Sequence, residues 1–421
     1  MALLFSPSGD TNSASQDQSL GLNGTAAPSF QSQEPISKLF ESFWMAGFES
    51  SSHITRAGVR LDMIEATQHN RLVVEDYRLL RQFGFRTIRD AARWHLIDRG
   101  GDYAFSSLAP MVEAAQTESV QIIWDICHYG WPDDVDIFSP AFVNRFERFC
   151  GAIARFIKQY SDRVPFYAPI NEISFFAWAA GQVGFMHPCR TGEGVALKEQ
   201  LVRAAIAGIE ALWAVDSRAR ITQIDPIMHV VTPRQHPELA AAAAAQHASQ
   251  FEAWDMLSGV VKPELGGHRR YLDIIGVNYY HANQWEYPDN RLRWEDTPRD
   301  ERWIPFSGLL ADVYHRYKRP MFVAETGHFG VGRAAWAREI VAEVMIARDS
   351  GVPLEGICFY PIIDRTDWED ASHWHNCGLW DLRRNPEGQL ERVICPEFES
   401  ELSRIMRRRD DLHSQHHNPS F

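Results

Sequence analysis

Two glutamates stand where a carboxylate has little structural use. Glu172 ends the run Val164-Pro165-Phe166-Tyr167-Ala168-Pro169-Ile170-Asn171, and Glu325 ends Pro320-Met321-Phe322-Val323-Ala324, with Thr326 and Gly327 after it. Each run has the length and apolar or aromatic content of a buried strand. Either glutamate alone fits a helix cap or a surface ion pair. Together, from the two halves of the chain, they fit a pair of carboxyl groups at the mouth of a barrel. Such a pair can divide the roles of acid, base and nucleophile.

Other apolar runs end on polar or aromatic groups as well. One ends Ile88-Arg89-Asp90, another Asp125-Ile126-Cys127-His128-Tyr129, another Val277-Asn278-Tyr279-Tyr280. The last ends at Tyr360 and leads to Asp364, Asp367 and Trp368. Singly, His128 fits a satisfied core histidine, Arg89 an ion-pair partner of Asp90 or Asp125, and the tyrosines packing. Collectively they place hydrogen-bonding groups and aromatic walls on one rim, which is what a sugar requires.

The elements that must hold these ends alternate. Strand patterns cover 42–48, 85–90, 120–127, 164–172, 219–225, 272–279, 320–327 and 354–360. Helical patterns cover 72–82, 107–117, 140–160, 195–216, an alanine-rich 237–257, 307–317, 332–350 and 395–408. Eight strand–helix pairs imply parallel strands and a closed (β/α)8 TIM barrel, with reactive residues at the C-terminal strand ends. An open doubly wound sheet would carry a glycine-rich phosphate loop after an early strand, and none is present. Residues 1–36 are rich in Ser, Gln, Asn and Gly and read as disordered or loosely packed. Residues 37–408 read as one catalytic domain, and 409–421 as a polar tail.

Composition narrows the partners. The 421 residues carry a formal net charge of −13, which argues against nucleic acid and anionic membrane. No long apolar span and no basic-then-apolar leader is seen at Met1-Ala2-Leu3-Leu4-Phe5. The six cysteines are irregularly spaced, as expected of reduced thiols in a cytoplasmic protein. The 14 tryptophans suit a site that stacks flat ligand faces.

In order and spacing, residues 43–382 resemble glycoside hydrolase family 1, the retaining β-glycosidases. Phe43-Trp44-Met45-Ala46-Gly47-Phe48 is similar to the first-strand motif, and Gly84-Phe85-Arg86-Thr87-Ile88-Arg89 to the second. Cys127-His128-Tyr129-Gly130-Trp131-Pro132 resembles the His-Trp-x-x-Pro loop. Asn171-Glu172 falls on the acid/base motif and Ala324-Glu325-Thr326-Gly327 on the nucleophile motif. Asp273-Ile274-Ile275-Gly276-Val277-Asn278-Tyr279-Tyr280 is similar to the sixth-strand signature. There are departures. Ile173 replaces Pro, Thr326 replaces Asn, Tyr360 stands for Trp, and Asp367 stands for the Glu that holds sugar hydroxyls. Near the place of the first-strand Gln stand Glu49, His53 and Ile54.

The resemblance implies hydrolysis of β-linked glycosides of glucosidase or galactosidase type by double displacement, with no cofactor or metal. Glu325 would be the nucleophile and Glu172 the acid/base, their carboxyls about 5–5.5 Å apart. Arg89 and Tyr280 would hold Glu325, and Asn171 the substrate's 2-hydroxyl. His128, Tyr129, Asn278, Tyr360, Asp367 and Trp368 would complete the sugar site. A transglycosylase would use the same intermediate. The altered motif neighbours also fit a catalytically inactive carbohydrate-binding barrel. A metal-dependent hydrolase would draw on His373, His375 and Cys377, or on His416 and His417 in the tail.

Overall fold

The computed structural model describes residues 37–407. The expectations for 1–36 and 409–421 lie outside the described residues. Eight parallel strands close into a barrel in chain order: β1 (Trp44–Gly47), β2 (Thr87–Ala91), β3 (Gln121–Cys127), β4 (Phe166–Ile170), β5 (Arg220–Pro226), β6 (Ile274–Asn278), β7 (Met321–Thr326) and β8 (Leu354–Phe359). The ring shuts where β1 pairs with both β2 and β8. The fold is the expected (β/α)8 barrel.

Eight helices follow these strands in turn: α1 (His69–Phe83), α2 (Ala109–Thr117), α3 (Pro140–Lys158), α4 (Gly194–Val215), α5 (Glu252–Ser258), α6 (Phe306–Tyr317), α7 (Arg333–Asp349) and α8 (Pro396–Arg407). Along α3 the buried positions Phe142, Phe146, Phe149, Cys150, Ile153 and Ile157 recur every three or four residues, which lays one apolar stripe on the barrel. The alanine-rich stretch is not one helix. It breaks into Ala240–Ala248, a tight turn at Ser249–Phe251, and α5. At the break, the Gln250 side chain accepts from the Met228 amide at 2.9 Å and donates to the His247 carbonyl at 2.7 Å. Two loops also carry strands that the sequence reading passed over: Gln284–Glu286 beside His229–Val231, and the hairpin Trp380–Arg384 with Leu390–Ile394.

Two cores result. A large one lies between strands and helices. A small one fills the barrel with alternate strand residues, among them Met45, Ile123, Phe166, Ile224, Ile274, Phe322 and Cys358. Phe40 forms its floor against Phe166 and Phe322, with ring centroids 5.2 and 5.3 Å away. At the other end, Gly47 lets Tyr360 lie against β1, because a Cβ there would fall 2.3 Å from the Tyr360 ring. The six cysteines are free thiols, all buried except Cys189. No helix of the described residues is long and apolar enough to cross a membrane.

Candidate active site

Glu172 and Glu325 lie at the C-terminal ends of β4 and β7, three strands apart around the ring, and line one cavity. Local backbone sets their directions. After β4, the Asn171 amide bonds the Cys127 carbonyl on β3 at 2.9 Å. The Glu172 amide bonds the Ile224 carbonyl on β5 at 3.0 Å. Glu172 itself adopts left-handed φ/ψ of 50° and 60°, unusual for a side-chain-bearing residue and often found at functional sites. Its carbonyl then accepts from the Phe176 amide and opens the short helix Ile173–Phe176. On β7, pairing with β6 slips by one residue between Val323 and Glu325, so that Glu325 sits beside Asn278. Such a bulge re-aims the side chain beyond it.

The two carboxyls have different neighbours. Arg89 Nη1 donates to Glu325 Oε1 at 2.6 Å, and the Tyr280 hydroxyl donates to Oε2 at 2.9 Å. Glu172 receives Asn278 Nδ2 at 2.8 Å and the Tyr129 hydroxyl on its other oxygen. Burial pushes the Glu172 carboxyl up, and the nearby charge of Glu325 adds to it; the hydrogen bonds from Tyr129 and Asn278 oppose both. The result is about 8. Burial and the charge of Glu325 thus favour the protonated, proton-giving form of Glu172. Behind it, burial also raises Asp225 to about 7, although Ser174 donates to it from both amide and hydroxyl.

Arg89 is the hub. Its other arm donates to Asn171 Oδ1 at 2.7 Å, and Nε donates to Asp125 at 3.1 Å. Its cation also lies 5.2 Å from the Tyr360 ring centroid. Both Nδ2 hydrogens of Asn171 are engaged as well. Its Nδ2 reaches His128 Nε2 at 3.1 Å and the Tyr129 hydroxyl at 3.0 Å. Donation from Asn171 Nδ2 to a sugar hydroxyl would have to displace one of them, whereas Oδ1 accepts one bond from Arg89 and has a second lone pair. His128 is similarly engaged, with Nδ1 near Asp125 (3.2 Å) and Ser50 (2.9 Å). Tyr129 and Asn278, expected to hold sugar, both donate to Glu172, and Tyr129 also lines the cavity.

Asp367 departs from expectation. It is not on the cavity wall. Its Oδ1 accepts from the Glu369 and Asp370 amides at 2.8 and 3.2 Å, and Oδ2 lies 3.2 Å from His375 Nε2. A turn in its own loop has captured the side chain. Thr326 faces away as well, bonding Trp336 Nε1 at 2.9 Å. His373, His375 and Cys377 do not converge: Cys377 bonds Asp364 while His375 bonds Asp367.

Tyr360 and Trp368 do line the cavity, as do several residues that the sequence reading did not place there. Phe175 and Phe329 extend the aromatic wall. Glu49 and Arg365 form a buried ion pair at 3.5 Å within it. Burial works to raise the Glu49 carboxyl, but Arg365, His128 and hydrogen bonds from Ser51 hold it below the usual range. The buried Tyr360 hydroxyl has no hydrogen-bond partner. His281 and His328 follow Tyr280 and Glu325 closely in sequence and close another side. Adjacency to these strand ends was the only signal that could have found them.

No protein-family model matches this chain, and no curated protein matches it in sequence. Its fold is shared with solved structures. One is a family 1 β-glucosidase from Thermotoga maritima: 13% identity, TM-score 0.70, covering 88% of this chain and 99% of that one. The same enzyme in complex with deoxynojirimycin superposes with TM-score 0.69 at 12% identity, over 88% and 99%. The AHE enzyme from Alicyclobacillus herbarius superposes with TM-score 0.67 at 16% identity, over 81% and 87%. At such identities the likeness establishes the fold.

Proposed function

We propose that this chain is a retaining β-glycosidase that hydrolyses β-linked glycosides of glucosidase or galactosidase type. The observation that carries the reading is the contrast between the two glutamates: one protonated up to about pH 8, the other facing an arginine and a tyrosine, both on one cavity. Retaining chemistry needs that difference. Glu325 attacks the anomeric carbon while Glu172 gives its proton to the departing oxygen. Glu172, now a carboxylate, takes a proton from water, which releases the sugar from Glu325. Arg89 and Tyr280 hold Glu325 in line for attack. Tyr129 and Asn278 fix the direction of the Glu172 carboxyl. The fold shared with β-glucosidases supports the same reading by analogy.

The polar end of the cavity gives the sugar its contacts. Glu49, Arg365 and the open Tyr360 hydroxyl supply hydrogen bonds, and Trp368 and Phe175 supply flat faces. A panel of nitrophenyl glycosides tests the reading. Release of nitrophenol from a β-glucoside or β-galactoside, and not from α-anomers, is expected. No turnover on any β-glycoside would remove it.

A further inference from the structure

We infer that His281, Glu295 and His328 form a binding site for a divalent transition-metal ion of the zinc class, with an open coordination position on the cavity wall. Each residue offers one ligand atom, and the three atoms lie within 4.8 Å of one another. Among the described residues no other group of three His, Cys, Asp or Glu side chains converges so closely.

Each histidine keeps one buried ring nitrogen without a hydrogen bond. His328 Nε2 is buried and makes no hydrogen bond, and it stands 3.6 Å from Glu295 Oε1. Two ligands about 2.0–2.1 Å from a tetrahedral ion lie roughly 3.4 Å apart, so this edge is nearly formed. The Phe329 amide donates to His328 Nδ1 at 2.8 Å, and the Phe329 carbonyl lies 3.0 Å from the same nitrogen. The tautomer that donates from Nδ1 to that carbonyl instead puts a lone pair on Nε2 for a metal, and such carbonyl donation is the usual outer support of a ligating histidine. His281 is 6% exposed, its Nδ1 is buried without a partner, and its ring centroid is 4.2 Å from that of His328. Two buried imidazole nitrogens left unpaired are costly, and one ion would satisfy both.

The surroundings fit. Trp294 and Phe329 pack against the histidine pair and limit water. Arg291 is the opposing charge. It holds Glu295 through contacts of 3.0 and 3.2 Å to the two carboxylate oxygens. A carboxylate can keep Arg291 on one oxygen and give the other to the ion. Two imidazoles and one carboxylate leave a fourth position free, the arrangement of ligand-accepting zinc sites. Because His281 and His328 line the cavity that holds Glu172 and Glu325, a ligand oxygen in that cavity would reach it.

The test is binding, independent of turnover. The full chain is stripped with chelator, dialysed and titrated with zinc chloride by calorimetry. One zinc equivalent is expected in the wild type that weakens at least tenfold in His281→Ala and in Glu295→Gln. Glu295 is a partly exposed loop residue, so Glu295→Gln decides alone if His281→Ala does not fold. Cobalt(II) in place of zinc should give the strong visible bands of four-coordination, lost in Glu295→Gln. Equal zinc affinity and stoichiometry in wild type and both variants would overturn the inference, as would no zinc binding at all.

Discussion

Arg89 and Glu325 meet at 2.6 Å, although one comes from β2 and the other from β7, 236 residues later. The contact crosses the barrel mouth, and both side chains are buried. Asp125 takes the rest of the guanidinium charge, with 2.8 Å to Nη2. One cation thus faces two buried carboxylates. Removing it leaves Glu325 only its Tyr280 hydroxyl and Asp125 only its His128 contact, and breaking a buried pair costs about 3–5 kcal/mol. Arg89→Met should therefore lower unfolding stability by that order in urea titrations. Arg89→Lys should keep part of it but lose the fork that reaches Asn171 and Glu325 together. Its kcat should fall by about 10²–10³, the scale for losing one charge-placing donor. Wild-type stability in Arg89→Met would mean that the hub is dispensable.

Glu172 owes its raised pKa to burial first and to Glu325 second. Glu325→Gln keeps the shape and removes the charge. The Glu172 pKa should then drop below about 8, as read by carbon NMR of labelled glutamate. Tyr129→Phe deletes a hydrogen bond that opposes the rise, so it should move the value upward. In the wild type, kcat/KM should decline above about pH 8 as the acid loses its proton. A rise in Glu325→Gln or a fall in Tyr129→Phe would contradict the stated causes.

The sequence carried the fold because each barrel strand and most of the helices between them announced themselves through local periodicity, and eight alternations admit few closures. It located Glu172, Glu325, Arg89 and Tyr280 because strand ends meet at a barrel mouth. It could not report which donors are taken. That both Nδ2 hydrogens of Asn171 are taken depends on His128 and Tyr129, at the end of another strand. Nor could it see that Asp367 turns into its own loop, since two backbone amides decide that. Glu49 and Arg365 lie more than 300 residues apart, and only closure of the barrel brings them together.

Those last residues give a contrast. Asp367→Asn should loosen the turn that ends near His375 and leave the ranking of sugar substrates nearly unchanged. Glu49→Gln alters the charge of the cavity and releases Arg365, so it should reorder them. KM values across a set of β-glucosides, β-galactosides and β-fucosides would compare the two. A reordering by Asp367→Asn with none by Glu49→Gln would exchange their roles.

His69 makes stability depend on pH. It sits between Asp76, 2.7 Å from Nδ1, and Asp90, 2.9 Å from Nε2, and stacks on Phe48. Burial opposes its charge, but the two aspartates outweigh burial and raise it to about 9. A folded-state value above the unfolded 6.5 stabilises fully below 6.5 and is lost as pH rises through about 9. Glu172 and Asp225 act in the same direction at lower pH, because their raised values favour the protonated native state. Unfolding free energy should therefore fall between about pH 6.5 and 9, and less steeply in His69→Gln. An identical slope in the variant would remove His69 as the cause.

The two glutamates should fail in different ways when removed. Glu325→Ala deletes the group proposed to attack the sugar, so turnover should fall by several orders of magnitude. It also opens space beside the anomeric carbon, next to Arg89 and Tyr280, which remain to hold an anion. Azide entering there attacks the face that the carboxylate would have used and should yield the α-glycosyl azide. Glu172→Ala removes proton transfer and leaves the nucleophile. A dinitrophenyl glycoside needs little protonation to depart, so the glycosyl-enzyme should still form. Its breakdown lacks a base, and azide, which needs none, should restore turnover and give the β-azide. The two products differ only in anomeric configuration, which proton NMR reads directly from the coupling at the anomeric carbon. Opposite anomers from the two variants would assign the roles independently of any likeness in fold. The same anomer from both, or near-wild-type turnover by Glu325→Ala, would exclude double displacement through Glu325.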